Sequence, residues 1–118
     1  MWVFTQHGFV SAVQHFDNQE QIVVRSRDKE SLALASAFFE TKVISSPSND
    51  YPFRIVLSRD QFAEFMQTEV AMLDYTNFKS RLDVSRGEHW HDTASQVWSI
   101  MHDIEDADAR KRKPVAQV

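Results

Sequence analysis

The hydrophobic pattern of this chain changes period along its length, and that change limits the fold more than any single residue does. Outside one early helical stretch, apolar residues between Trp2 and Leu57 recur at alternate positions; from Phe62 onward they recur every third and fourth. Alternation is the signature of a strand with one buried face, and the 3-4 spacing is that of a helix with one apolar stripe. Trp2-Val3-Phe4-Thr5 and Phe9-Val10-Ser11-Ala12-Val13-Gln14 flank Gln6-His7-Gly8, which reads as a hairpin with glycine where a positive φ is needed. A third strand over Ile22 to Arg27 sets Val23, Arg25 and Arg27 on one face and Ile22 and Val24 on the other. Asp28 then caps a helix carrying Ser31, Leu32, Ala35, Phe38 and Phe39.

Lys42 to Ser46 is a short strand candidate, followed by the turn cluster Pro47-Ser48-Asn49-Asp50. Phe53 to Leu57 alternates again, with Phe53, Ile55 and Leu57 facing the core and Arg54 and Val56 opposite. Ser58 with Gln61 is a capping box that opens a helix bearing Phe62, Phe65, Met66, Val70 and Leu73. The pattern allows this helix either to run on to Leu82 or to bend at Thr76-Asn77. Gly87 is a stop, and a last helix over residues 90 to 105 carries Trp90, Ala94, Val97, Trp98, Met101 and Ile104. Trp98, in mid-stripe, is expected to be buried against the sheet or the Phe62-Phe65-Met66 helix. The order is β-β-β-α-(β)-β-α-α: an α+β domain with a mainly antiparallel sheet of four to five strands, covered on one face by three helices. Residues 1–105 form that domain, and 106–118, with the run Arg110-Lys111-Arg112-Lys113, are expected to be a mobile charged tail.

At 118 residues the chain has room for one core, and its 42% hydrophobic and 25% charged content is that of an ordinary globular protein. A net charge of −4 opposes a generic nucleic-acid binder. No apolar run approaches the roughly 18 residues of a membrane span, and the first residues lack the basic start and apolar core of a signal peptide, so a cytoplasmic location is expected. The absence of cysteine removes disulfides, thiolate metal sites and cysteine nucleophiles, and two glycines cannot make a phosphate-binding glycine-rich loop.

Two short segments concentrate hydrogen-bonding and aromatic groups: Asp50-Tyr51-Pro52-Phe53-Arg54 and Asp74-Tyr75-Thr76-Asn77-Phe78-Lys79. The candidate binding residues are Tyr51, Arg54, Asp74, Tyr75, Asn77 and Lys79, with Arg25 and Arg27 from the second face of the sheet. Asp50, Asp74 and His15 have aromatic neighbours in sequence that would raise a carboxyl or shift an imidazole if burial followed, yet turn and ion-pair roles suit them better. His91 and His102 fall on one side of a helix but about 16 Å apart along it, too far for one ion. No catalytic residue, metal site or cofactor is expected.

The segments Met1-Trp2-Val3-Phe4-Thr5, Gly8-Phe9-Val10-Ser11-Ala12-Val13-Gln14, Val24-Arg25-Ser26-Arg27, Tyr51-Pro52-Phe53-Arg54, Asp74-Tyr75-Thr76-Asn77-Phe78-Lys79 and Val97-Trp98 together resemble a family of small bacterial proteins with no established function. The likeness extends to about Glu105 and implies a stand-alone bacterial cytosolic protein, without an activity, cofactor or partner. Nine Phe and three Trp without a catalytic motif favour a non-enzymatic domain that binds another protein or a second copy of itself. A nucleic-acid module using Arg25, Arg27, Arg54 and the basic tail is less favoured. A small-molecule site or enzyme requires the Asp50–Arg54 and Asp74–Lys79 segments to meet in one pocket. No membrane association is expected.

Overall fold

The first hairpin is set by one glycine. Strand β1 (Trp2–Thr5) and strand β2 (Gly8–Gln14) pair antiparallel with Thr5 opposite Gly8, leaving a two-residue loop. Gly8 has φ +135°, and a Cβ there would sit 2.2 Å from Ser31 Oγ and 2.6 Å from an Arg86 nitrogen. Both the torsion and the close approach therefore require glycine. In the computed structural model, which describes residues 1–112, β2 pairs with β3 (Gln21–Ser26) and β3 with β5 (Phe53–Ser58). The two-residue strand β4 (Ile44–Ser45) closes the other edge, giving a five-stranded antiparallel sheet of order β1-β2-β3-β5-β4.

Alternation divides the sheet as its pattern predicts. Val10, Ala12, Ile22, Val24, Ile55 and Leu57 form the buried face, covered by α1 (Glu30–Phe38) through Leu32 and Ala35 and by α2 (Arg59–Ala71) through Phe62 and Phe65. Ser58 and Gln61 make the expected reciprocal capping box at α2. At α1 the side chain of Asp28 accepts from the Ser31 backbone N–H and hydroxyl, one residue ahead of the helix's capping position at Lys29. Phe38, placed on the stripe by spacing, is exposed.

The chain leaves the helical conformation after Ala71 and re-enters it at α3 (Phe78–Arg86), where the Asn77 side chain caps by accepting from Ser80 N–H. The bend at Thr76-Asn77 is thus the reading that holds, and it makes the helices four rather than three. Gly87, at φ +99°, passes the chain from α3 to α4 (Glu88–Arg112). Leu82 and Ala94 are buried where α3 and α4 pack together, apart from the main core. Helix α4 continues without a break past the boundary drawn after Glu105, so residues 106 to 112 are its last turns; residues 113–118 of the expected tail lie outside the described residues.

Two further expectations change. Trp98 is 58% exposed rather than buried, because the side of α4 that meets the domain carries Trp90, Ala94 and Val97. And α4 does not join α1 and α2: its first turns border the opposite face of the sheet, where His89, Trp90, Thr93 and Val97 line a cavity with Trp2, Phe4, Phe9 and Tyr51. No helix among the described residues is long and apolar enough to cross a membrane.

Candidate functional site

On the sheet face turned away from the core, the pairing of β1 with β2 sets Phe4 opposite Phe9 and Trp2 opposite Ser11. The Phe9 ring lies 4.7 Å from Phe4, 5.8 Å edge-to-face from Trp2 and 6.5 Å from Tyr51, so four aromatic rings run across three segments of the chain. Tyr51, in the turn before β5, is buried, and the guanidinium carbons of Arg25 and Arg27 lie 4.7 and 4.4 Å from its ring centre. A cation over a phenol face is attracted by the ring quadrupole, and one shielded from water gains more than an exposed one. Arg25 also donates to Ser11 Oγ at 2.7 Å, and Arg27 donates to the Asp50 carbonyl and carboxylate at 2.5 and 3.1 Å. Arg54 stands opposite Arg25 in the β3–β5 register, and the Nε atoms of both are buried without a partner among the described residues. Three cations thus crowd one aromatic face, and among the described residues the exposed carboxylate of Asp50 is the only one paired with them.

Helix α4 turns this face into a groove. Between its first turns and the four rings lies a cavity of about 530 Å³ walled by Trp2, Phe4, Phe9, Tyr51, Trp90 and Val97, with Arg27, Asp28, His89 and Thr93 as its polar groups. That volume lies within the roughly 300–1,000 Å³ of ordinary ligand sites. A second apolar hollow of about 250 Å³, lined by Phe4, Phe78, Ala94, Val97 and Trp98, adjoins it by sharing Phe4 and Val97.

Beside the buried Leu82–Ala94 packing of α3 on α4, Arg86, the last residue of α3, ties α4 to the rest of the domain. Its side chain is 7% exposed and donates to Asp28 at 2.5 Å and to the His7 carbonyl at 2.6 Å; Glu30 lies 3.2 Å away, and the guanidinium carbon stacks 4.4 Å over Trp90. One buried cation therefore fastens the hairpin loop, the start of α1 and the groove wall together. Burial raises the carboxyl pKa of Asp28, but the Ser31 hydroxyl, the Arg86 guanidinium and the Ser31 N–H outweigh it and hold the group below the usual carboxylate range. The carboxylate in this wall is an ionised, fully engaged strut. His7, in the same loop, has its Nδ1 2.8 Å from the half-buried Glu69 carboxylate of α2.

The sequence-predicted residues separate into two groups. Arg25, Arg27, Tyr51 and Arg54 share the aromatic face. Asp74, Tyr75 and Asn77 line a different, open hollow with Arg81, which pairs with Asp74 at 2.7 Å and lies over Tyr75 at 5.1 Å. That hollow shares no residue with the groove, so Tyr51 and Tyr75 do not converge on one cavity. The second segment reaches the groove region only through Phe78, in the adjoining hollow, and Lys79, whose Nζ lies 4.9 Å from the Trp98 ring centre. Among the described residues no group of three or more His, Cys, Asp or Glu side chains is placed to hold a metal ion.

Phe4, Phe9 and Arg86 were not picked out by pattern. The outward alternation of Trp2, Phe4 and Phe9 across a tight hairpin was a signal for the platform, since that register puts all three on one face. For Arg86 there was none, because its partners His7, Asp28 and Ser31 lie between 55 and 79 residues away in sequence. Compared with known protein families, curated proteins and solved structures, the chain finds no match. Its function has to be argued from this geometry.

Proposed function

We propose that this protein is a non-enzymatic binding domain that captures a short segment of another protein in the groove between α4 and the second face of the sheet. The observation that carries this reading is the cavity of about 530 Å³ whose walls are Trp2, Phe4, Phe9, Tyr51 and Trp90, with Trp2 72% exposed at its mouth. Trp, Tyr and Arg are the residues that dominate interface energetics, because large rigid rings bury much area at low entropic cost. The cations along Tyr51 add a preference for a carboxylate, so the fitting segment carries a bulky apolar or aromatic side chain next to Asp or Glu. Nucleic acid is the weaker fit: the Arg110–Arg112 run begins 13 residues beyond Val97, about 20 Å further along α4, so the basic residues do not form one footprint.

Panning a random peptide library against the protein tests the reading. Enriched peptides are expected to combine a large apolar side chain with an acidic one, to change the tryptophan fluorescence on binding, and to lose about tenfold or more in affinity to Trp2→Ala, whose exposure leaves the fold intact. Failure to enrich any binder, or affinities indifferent to both Trp2→Ala and Arg27→Ala, would refute it. Single-stranded RNA that binds at about 50 mM salt and is lost with Arg25 and Arg27 would replace it with the nucleic-acid reading.

A further inference from the structure

One row of side chains on the second face of the sheet holds two charges without a counterpart. Backbone pairing aligns Trp2, Ser11, Arg25, Arg54 and Ile44 across all five strands. The side-chain acceptor in that row is Ser11 Oγ, and Arg25 takes it at 2.7 Å. Like charges directly opposite each other destabilise an antiparallel pair, so the juxtaposition of Arg25 and Arg54 costs the fold stability unless an anion offsets it. Among the described residues no carboxylate lies within ion-pair distance of either guanidinium. Arg25 has the Tyr51 ring 4.7 Å away, but Arg54 lies over no ring, and its Nε, like that of Arg25, is buried without a partner. Arg27 is matched by Asp50, which leaves the cluster with two positive charges unmatched.

We propose that Arg25 and Arg54 form a clamp for a phosphate monoester group. Such a group carries about −1.5 to −2 charges at neutral pH, which matches the two unmatched cations, and its three terminal oxygens accept from two guanidinium forks at once. A carboxylate brings one charge and two oxygens, which a single guanidinium satisfies in bidentate fashion. Guanidinium groups suit phosphate because their donors lie in a rigid planar fork. The clamp is set before any ligand arrives: Ser11 Oγ, itself in a buried residue, and the buried Tyr51 ring fix Arg25, while the β3–β5 register fixes Arg54 beside it. Both arginines lie beyond Tyr51, outside the residues that line the groove. The clamp therefore stands or falls without the peptide reading of that groove.

Titration with inorganic phosphate, phosphoserine, adenosine 5′-monophosphate and acetate at one fixed ionic strength tests it, since salt screening then acts on all four alike. The buried Nε–H groups of Arg25 and Arg54 report from the site itself, and their NMR signals should move as phosphate is added. The three phosphates are expected to bind with dissociation constants below about 1 mM, and acetate about tenfold more weakly or worse. Arg54→Met keeps an apolar stem and removes the charge. It is expected to weaken phosphate binding by about tenfold or more, while its urea midpoint in phosphate-free buffer holds level or rises because the opposed charges are relieved. Arg59→Met, a cation at the start of α2 bonded to Gln14 and Gln19, should leave the affinity unchanged. Tightest binding by phosphoserine makes a phosphorylated protein the source of the group, and tightest binding by the nucleotide makes it a free metabolite; either order upholds the clamp. No binding of any phosphate in the millimolar range, acetate binding as tightly as phosphate, or equal losses from Arg59→Met and Arg54→Met would overturn it. So would an Arg54→Met variant that unfolds at lower urea, which would make Arg54 a strut of the sheet.

Discussion

Replacing Arg86 with alanine is the most informative single perturbation of this fold. The side chain is 7% exposed, and its removal strands the Asp28 carboxylate, the Glu30 carboxylate and the His7 carbonyl at once while uncovering one face of Trp90. Breaking a buried ion pair by deleting one partner costs about 3 to 5 kcal/mol, because the other charge is left desolvated and unpaired. Asp28 is 36% and Glu30 70% exposed, so water recovers part of that loss, and about 2 to 4 kcal/mol is expected for Arg86→Ala. A domain of this size holds only about 5 to 15 kcal/mol in total, so the midpoint of thermal unfolding should fall by roughly 10 °C. Urea denaturation of Arg86→Ala, Asp28→Asn and the double variant closes a cycle, and the pair should couple by about 1 to 3 kcal/mol. The internal comparison is Asp50→Ala, which breaks the Arg27–Asp50 pair whose side chains are 59 and 79% exposed and should cost less than about 1 kcal/mol. If Arg86→Ala lies within about 0.5 kcal/mol of the wild type, or the two substitutions simply add, Arg86 does not fasten the groove.

Trp98→Ala should cost less than about 1 kcal/mol, since the ring is 58% exposed, whereas Leu82→Ala, at 1% exposure between α3 and α4, should cost about 2 to 5 kcal/mol in the same urea titration. Gly8→Ala should destabilise by more than about 1 kcal/mol, because its Cβ would meet both a φ of +135° and the Ser31 hydroxyl; an unchanged urea midpoint would show that the hairpin loop gives way freely. The lowered Asp28 pKa makes stability depend on acid in a definite direction. That contribution is fully present above the unfolded-state value of about 3.9 and is lost as pH falls toward the lower folded-state value. Unfolding free energies measured from pH 6 downward should therefore drop below about pH 4, and Asp28→Asn should flatten that drop.

Local chemistry was enough to read most of the elements from the sequence. Alternation in Ile22–Arg27 and Phe53–Leu57 assigned each side chain to its face of the sheet, because strand periodicity is strict and one face must be buried. The Ser58–Gln61 capping box and the stop at Gly87 were legible because both are contacts within a turn of the chain. The platform arginines were also visible as an outward-facing set, and Tyr51 as part of a crowded segment. Tertiary structure alone decided where the helices went. A stripe of Trp90, Ala94, Val97, Trp98 and Met101 shows that α4 has an apolar side, but not which part of it finds a neighbour, and so Trp98 is exposed while Ala94 is buried. The helical pattern equally cannot say on which face of the sheet α4 rests. That position depends on Arg86, whose partners come from the first third of the chain and whose guanidinium geometry has no sequence periodicity. The groove exists because a residue at the end of α3 and a hairpin closed at Gly8 meet across almost 80 positions, and contacts of that range leave no mark in any local window of sequence.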